Sequence, residues 1–110
     1  VCAVAEVLTN IEELRSRIDV IDDQLLRLLN VRVACAVEVG RLKHESALPV
    51  YQPEREAQVL GKVRSAATAL SGPLTAEAVV RIFERIIDEA RRAERASSGY
   101  GDSPGPSTEA

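Results

Sequence analysis

The chain has 110 residues, 45% of them hydrophobic but only 3% aromatic (Tyr51, Phe83 and Tyr100), which suits one domain of about 100–150 residues with little bulk for a deep private pocket. A net charge of −3 argues against a broad nucleic-acid surface, and no run approaches the roughly 18 consecutive apolar residues of a membrane span. Cys2 and Cys35 make no disulfide framework and read as reduced thiols of a cytoplasmic protein, while His44, the single histidine, excludes a multi-histidine metal site.

The opening Val1-Cys2-Ala3-Val4-Ala5 is apolar, but it has no basic lead-in and meets Glu6 at once. It reads as an N-terminal extension over 1–9 rather than a signal peptide. Asn10 predicts a helix cap, with Glu13 in the place of a capping box. No proline follows before Pro49, and two series recur at seven-residue spacing. One is Ile11, Ile18, Leu25, Arg32, Val39; the other is Leu14, Ile21, Leu28, Cys35, Leu42. These are the a and d positions of a sustained heptad, and Leu26, Leu29, Val33 and Val37 add a second stripe. A helix from about 11 to 45 would be about 50 Å long at 1.5 Å per residue. A compact chain of this length has a radius of gyration of about 13 Å. The helix therefore outreaches its own domain, and a second copy of the same helix is the simplest cover.

A loop over 46–52 ends at Pro53, which suits the first turn of a second helix with Glu54 and Glu56 at its positive end. Val59, Leu60, Val63, Ala66, Ala67 and Leu70 make its apolar face, and Ser71-Gly72-Pro73 stops it. Thr75 predicts the cap of a third helix with the stripe Val79, Ile82, Phe83, Ile86, Ile87, Ala90. From Ser97 the sequence SSGYGDSPGPSTEA predicts a disordered tail over 97–110, which leaves 10–96 as an all-α domain of three helices, one long and two shorter.

Charges interrupt this pattern. Arg32 stands at an a position, where a guanidinium is costly unless an anion meets it or it fixes the register of a seam. Arg15 and Lys43 flank it along the same side of the helix, and each alone also suits a snorkelling surface role. Arg15 and Arg32 are roughly 25 Å apart along the helix, so one ligand reaches both only if a second copy lends its Arg15. Arg55 and Glu56 stand one turn before Val59 and Leu60, and Glu94 continues the stripe of the third helix. The plainer readings are a charged first turn for Glu54, Arg55 and Glu56, and a solvated pair of Glu94 with Arg91. Arg91, Arg92 and Arg95 are assigned to solvent or to compensation of the helix dipole.

Several fixed arginines suit carboxylates or phosphates. Neither glycine-rich phosphate signature occurs, and no Ser/His/Asp set or Cys/His pair is available. The residues then point to a small dicarboxylate rearranging without metal, cofactor or covalent intermediate. A helical dimerisation module with a vestigial pocket is the non-enzyme alternative.

The segments Leu14-Arg15-Ser16-Arg17-Ile18-Asp19, Asp22-Asp23-Gln24-Leu25-Leu26-Arg27-Leu28-Leu29, Arg32, and Val37-Glu38-Val39-Gly40-Arg41-Leu42-Lys43 resemble the all-helical chorismate mutases. So do Pro49-Val50-Tyr51, Pro53-Glu54-Arg55-Glu56 and Arg81-Ile82-Phe83-Glu84-Arg85-Ile86-Ile87, in the right order from about residue 11 to 96. The resemblance implies an intertwined homodimer that converts chorismate to prephenate by Claisen rearrangement without a cofactor, with Arg15 crossing from the partner. It implies that Arg15 and Arg32 hold the carboxylates and that Lys43 bonds the ether oxygen and touches a carboxylate. Arg55 then lines the site, Glu56 takes the ring hydroxyl, and Glu94 donates to the ether oxygen when protonated. Gln52 stands where many relatives have Asp, near the ring C4 substituent, which keeps 4-amino-4-deoxychorismate open as the substrate. Ala90 replaces a serine that contacts a carboxylate. An isochorismate-pyruvate lyase on the same scaffold is a further alternative, against which Glu56 counts.

Overall fold

The computed structural model describes residues 2–49 and 52–98. Val1, the loop residues Val50 and Tyr51, and residues 99–110 of the predicted tail lie outside the described residues, as do the side chains of Cys2 and Ser98. The described residues form three helices, α1 (Cys2–Glu45), α2 (Pro53–Ala69) and α3 (Ala76–Ser98), and no strand. The predicted all-α order therefore holds. None of these helices is long and apolar enough to cross a membrane.

α1 begins well before the predicted cap. Asn10 lies inside it, because the preceding residues contain neither Gly nor Pro to interrupt helical hydrogen bonding. Thr9 is absorbed in the same way: its hydroxyl donates to the Ala5 carbonyl at 3.0 Å, a back-bond that lets a cap-type residue sit in a helix interior.

The other end of α1 is sharply defined. The Leu48 N–H donates to the Lys43 carbonyl at 2.8 Å and the Ala47 N–H to the His44 carbonyl at 3.3 Å. Together these are the paired bonds of a Schellman stop. That stop needs a left-handed residue, and here it is Ala47, with φ 59°. A methyl-bearing residue in this region carries about 1–2 kcal/mol of strain that glycine avoids. Ala47→Gly should therefore raise stability by about 0.5–1 kcal/mol, read as a higher thermal midpoint; an unchanged or lower midpoint would show that the turn stores no such strain.

α2 opens on Pro53 as predicted, with Glu54 and Glu56 in its first turn. It closes where Leu70 turns extended and donates to the Ala66 carbonyl. Thr75 caps α3 as predicted, its hydroxyl accepting from the Ala78 N–H at 3.0 Å. α3 continues through Ser97 and Ser98, so helix extends two residues into the predicted tail.

The chain divides into two compact units, residues 1–32 and 33–110. In the second, α2 packs on α3. Val59, Leu60, Val63 and Ala67 of α2 are half-buried, as are Val79, Phe83, Ile86 and Ile87 of α3, and Ala90 is buried. Ala66, Leu70 and Ile82, expected on these apolar faces, are instead exposed. Arg64 of α2 reaches Glu77 of α3 at 3.4 Å across this interface.

The apolar a and d residues of α1 are open in a single copy: Leu14, Ile18, Leu25 and Leu28 are 53%, 52%, 52% and 66% exposed. Cys35 is exposed and forms no disulfide.

Candidate active site

Three of the expected site residues meet in the second unit. Lys43 comes from the last turn of α1, Glu56 from the first turn of α2, and Glu94 from the C-terminal part of α3. All three are half-buried. The two cations at the end of α1 have separate fates. Arg41 is held by Glu38 and Glu45 on the exposed side, whereas Lys43 acts on Glu94 through its charge.

Gly40 lets Glu94 come this close. A Cβ added there would meet the Glu94 Oε1 at 3.3 Å and its Cγ and Cδ at 3.5 Å. The absent methyl is thus filled by a carboxyl group. Burial pushes the Glu94 carboxyl above the ordinary carboxylate range; Lys43, Arg91 and Arg95 pull it back, and Glu56 adds to the rise. An acid that keeps its proton more firmly, beside an ammonium, forms a donor pair suited to an oxygen on which negative charge develops.

Arg91 corrects the assignment of that residue to solvent. It is half-buried, its Nε stands 3.4 Å from the Glu56 Oε2, and a terminal nitrogen donates to the Asp88 Oδ1 at 2.9 Å. The signal was present in the spacing: Arg91 follows Ile87 by four residues and precedes Glu94 by three, which puts all three on one helical face. The reading of Glu94 as a solvated partner of Arg91 also gives way, since Glu94 is half-buried and Arg91 turns to Glu56 and Asp88. Arg92 and Arg95 are exposed.

The remaining candidates occupy plainer positions. Arg55 is exposed and donates to the Gln58 Oε1 at 2.7 Å. Gln52 is exposed, and its carbonyl accepts from the N–H groups of Arg55 and Glu56, so it fixes the first turn of α2. Ala90 is the buried residue of α3, with 5% exposure, one turn before Glu94. Arg15 is exposed and Arg32 half-buried, both in the first unit. Among the described residues no group of three or more His, Cys, Asp or Glu is placed to hold a metal ion.

The family profile described as chorismate mutase type II matches residues 14–95. A bifunctional chorismate mutase/prephenate dehydratase of Aquifex aeolicus is 37% identical over 86 residues, which is 77% of this chain and 24% of that protein. A protein of the same description from Neisseria gonorrhoeae is 42% identical over 81 residues, 74% of this chain and 21% of that protein. The chain thus spans about a quarter of the length of these curated relatives. Among solved structures, a chorismate mutase of Thermus thermophilus aligns with a TM-score of 0.72 at 31% identity, over 78% of this chain and 94% of that one. The profile takes in Lys43, Glu56 and Glu94 as well as Arg15 and Arg32, and the chain belongs to the type II chorismate mutase family.

Proposed function

We propose that the chain rearranges chorismate to prephenate as a homodimer, with each site completed by the partner subunit's Arg15. The observation that carries this reading is that Lys43 of α1 and Glu56 of α2 both stand close enough to the half-buried Glu94 to act on its carboxyl through their charges. In the rearrangement the carbon–oxygen ether bond breaks as a carbon–carbon bond forms, and negative charge gathers on the ether oxygen. Lys43 and protonated Glu94 stabilise that charge. Glu56 accepts from the ring hydroxyl. Arg32 and the partner subunit's Arg15 hold the two carboxylates, so the substrate is bound in the compact conformer from which reaction is unimolecular. Gln52, Arg55 and Ala90 complete the set of residues around the substrate. The exposed apolar series of α1 supports the dimer, since contiguous apolar surface of this kind marks an association face.

The deciding assay offers the purified protein chorismate, 4-amino-4-deoxychorismate and isochorismate separately and follows the loss of each. Conversion of chorismate to prephenate supports the reading. Preference for the amino compound assigns the Gln52 position to that substrate, release of pyruvate from isochorismate assigns a lyase, and no turnover favours a dimerisation module.

A substitution next to Glu94 tests the site without touching a charged group. Gly40→Ala gains about 1 kcal/mol of helix propensity, but its methyl has to displace the Glu94 carboxyl by a few tenths of an ångström. Turnover should drop about tenfold while the thermal midpoint stays level or rises. A variant as active as the parent would show that the position of Glu94 is immaterial.

A further inference from the structure

Arg91 has no role in the mechanism above, yet it is the cation in direct contact with one of its carboxylates. Its side chain is 38% exposed and that of Glu56 28%. Its Nε is sealed from solvent and completes no hydrogen bond, so the Glu56 Oε2 at 3.4 Å is the charge it faces. The terminal nitrogen that stands 3.5 Å from the Glu56 Oε1 also donates to Asp88 at 2.9 Å. The guanidinium is thus steadied on its own helix by Asp88 and stands 3.4 and 3.5 Å from the two oxygens of Glu56, close enough for its charge to bias where that carboxylate rests.

We propose that Arg91 is a positioning residue for Glu56, setting where the acceptor for the substrate's ring hydroxyl stands relative to Glu94, one turn further along α3. The proposal rests on the reading of Glu56 as that acceptor. Helix α2 carries Glu56 in its first turn, where rotation of one side chain would otherwise move the carboxyl freely. Arg91 ties it to the same helix face that presents Glu94. The separation between hydroxyl acceptor and ether-oxygen donor then becomes a property of α3. The ligand class is a cyclic alcohol dicarboxylate whose hydroxyl lies a fixed distance from its ether oxygen.

Steady-state kinetics on Arg91→Leu, Glu56→Gln and the double variant test this. Arg91→Leu should raise KM for chorismate about tenfold and change kcat much less, the mark of lost ground-state and transition-state binding alike. In the Glu56→Gln background the same substitution should add almost nothing. Independent, multiplying effects would overturn the proposal and make Arg91 a direct substrate contact; no effect in either background would overturn it as well. Arg91→Lys and Asp88→Asn carry the same comparison if the leucine variant fails to fold, with smaller rises in KM expected. A readout free of turnover is the Arg91 Nε–H signal in a 1H–15N spectrum. It should exchange slowly and shift in Glu56→Gln, whereas a fast-exchanging, unshifted signal would show that the pair does not form. If the parent chain turns over no chorismate, the functional reading fails and takes the catalytic meaning of the pair with it, while the spectrum still reports whether Arg91 holds Glu56.

Discussion

Replacing Lys43 by alanine should slow chorismate turnover about 100- to 1,000-fold, the usual cost of removing one donor from a site of developing charge. The helical circular-dichroism signal and the mass of the assembled protein should stay unchanged. Lys43 occupies the last turn of α1, a turn closed by the Leu48 N–H on Lys43's own carbonyl. That backbone bond survives truncation of the side chain, so the variant removes a charge without loosening the helix end. Arg32→Ala should be comparably inactive, for a different reason: it removes a carboxylate clamp, so part of its loss should appear in KM. Unchanged kinetics in either variant would take that residue out of the site.

Activity should fall as pH rises, and Glu94→Gln should flatten the profile. The sign follows from burial. Desolvation disfavours the charged carboxylate, which raises the Glu94 pKa, with Lys43, Arg91 and Arg95 opposing and Glu56 assisting. Below the raised value the carboxyl holds a proton and donates to the ether oxygen; above it the group is an anion facing an oxygen that is gaining negative charge. Stability moves the same way. A carboxyl whose folded pKa exceeds its unfolded one contributes stability below the unfolded value, and that contribution is lost as pH climbs through the folded value. Glutamine donates at every pH, so the variant's rate and midpoint should both lose this limb. A flat parent profile would remove Glu94 as the acid.

The helices were legible because each rests on local signals. Pro53 at the start of α2, Thr75 before α3 and the Ser71-Gly72-Pro73 break all act within a few residues of themselves. The start of α1 was misplaced for the same reason. Asn10 and Glu13 look like a cap box, but a cap forms only where the preceding turn is not helical, and residues 2–9 offer nothing to stop it. Lys43, Glu56 and Glu94 were reachable as charges breaking an apolar pattern. That they converge was expected from the same pattern; what the pattern did not carry is the means, which is Gly40 admitting the Glu94 carboxyl and the packing of α2 against α3. Arg91 was missed through its neighbours: in the run Arg91-Arg92-Ala93-Glu94-Arg95 adjacent charges read as a solvated helix end. Only its spacing from Ile87 separates it from Arg92.

Ala90, with 5% exposure, is the one buried residue among those described. For the proposed dimer this inverts the usual map of tolerance. Positions such as Leu25 and Leu28, surface by the accounting of one copy, behave as interior positions once two copies meet, and a polar residue there costs what a core substitution costs. In such a dimer folding and association would merge into a single bimolecular equilibrium, and the melting temperature would be set by concentration as well as by sequence.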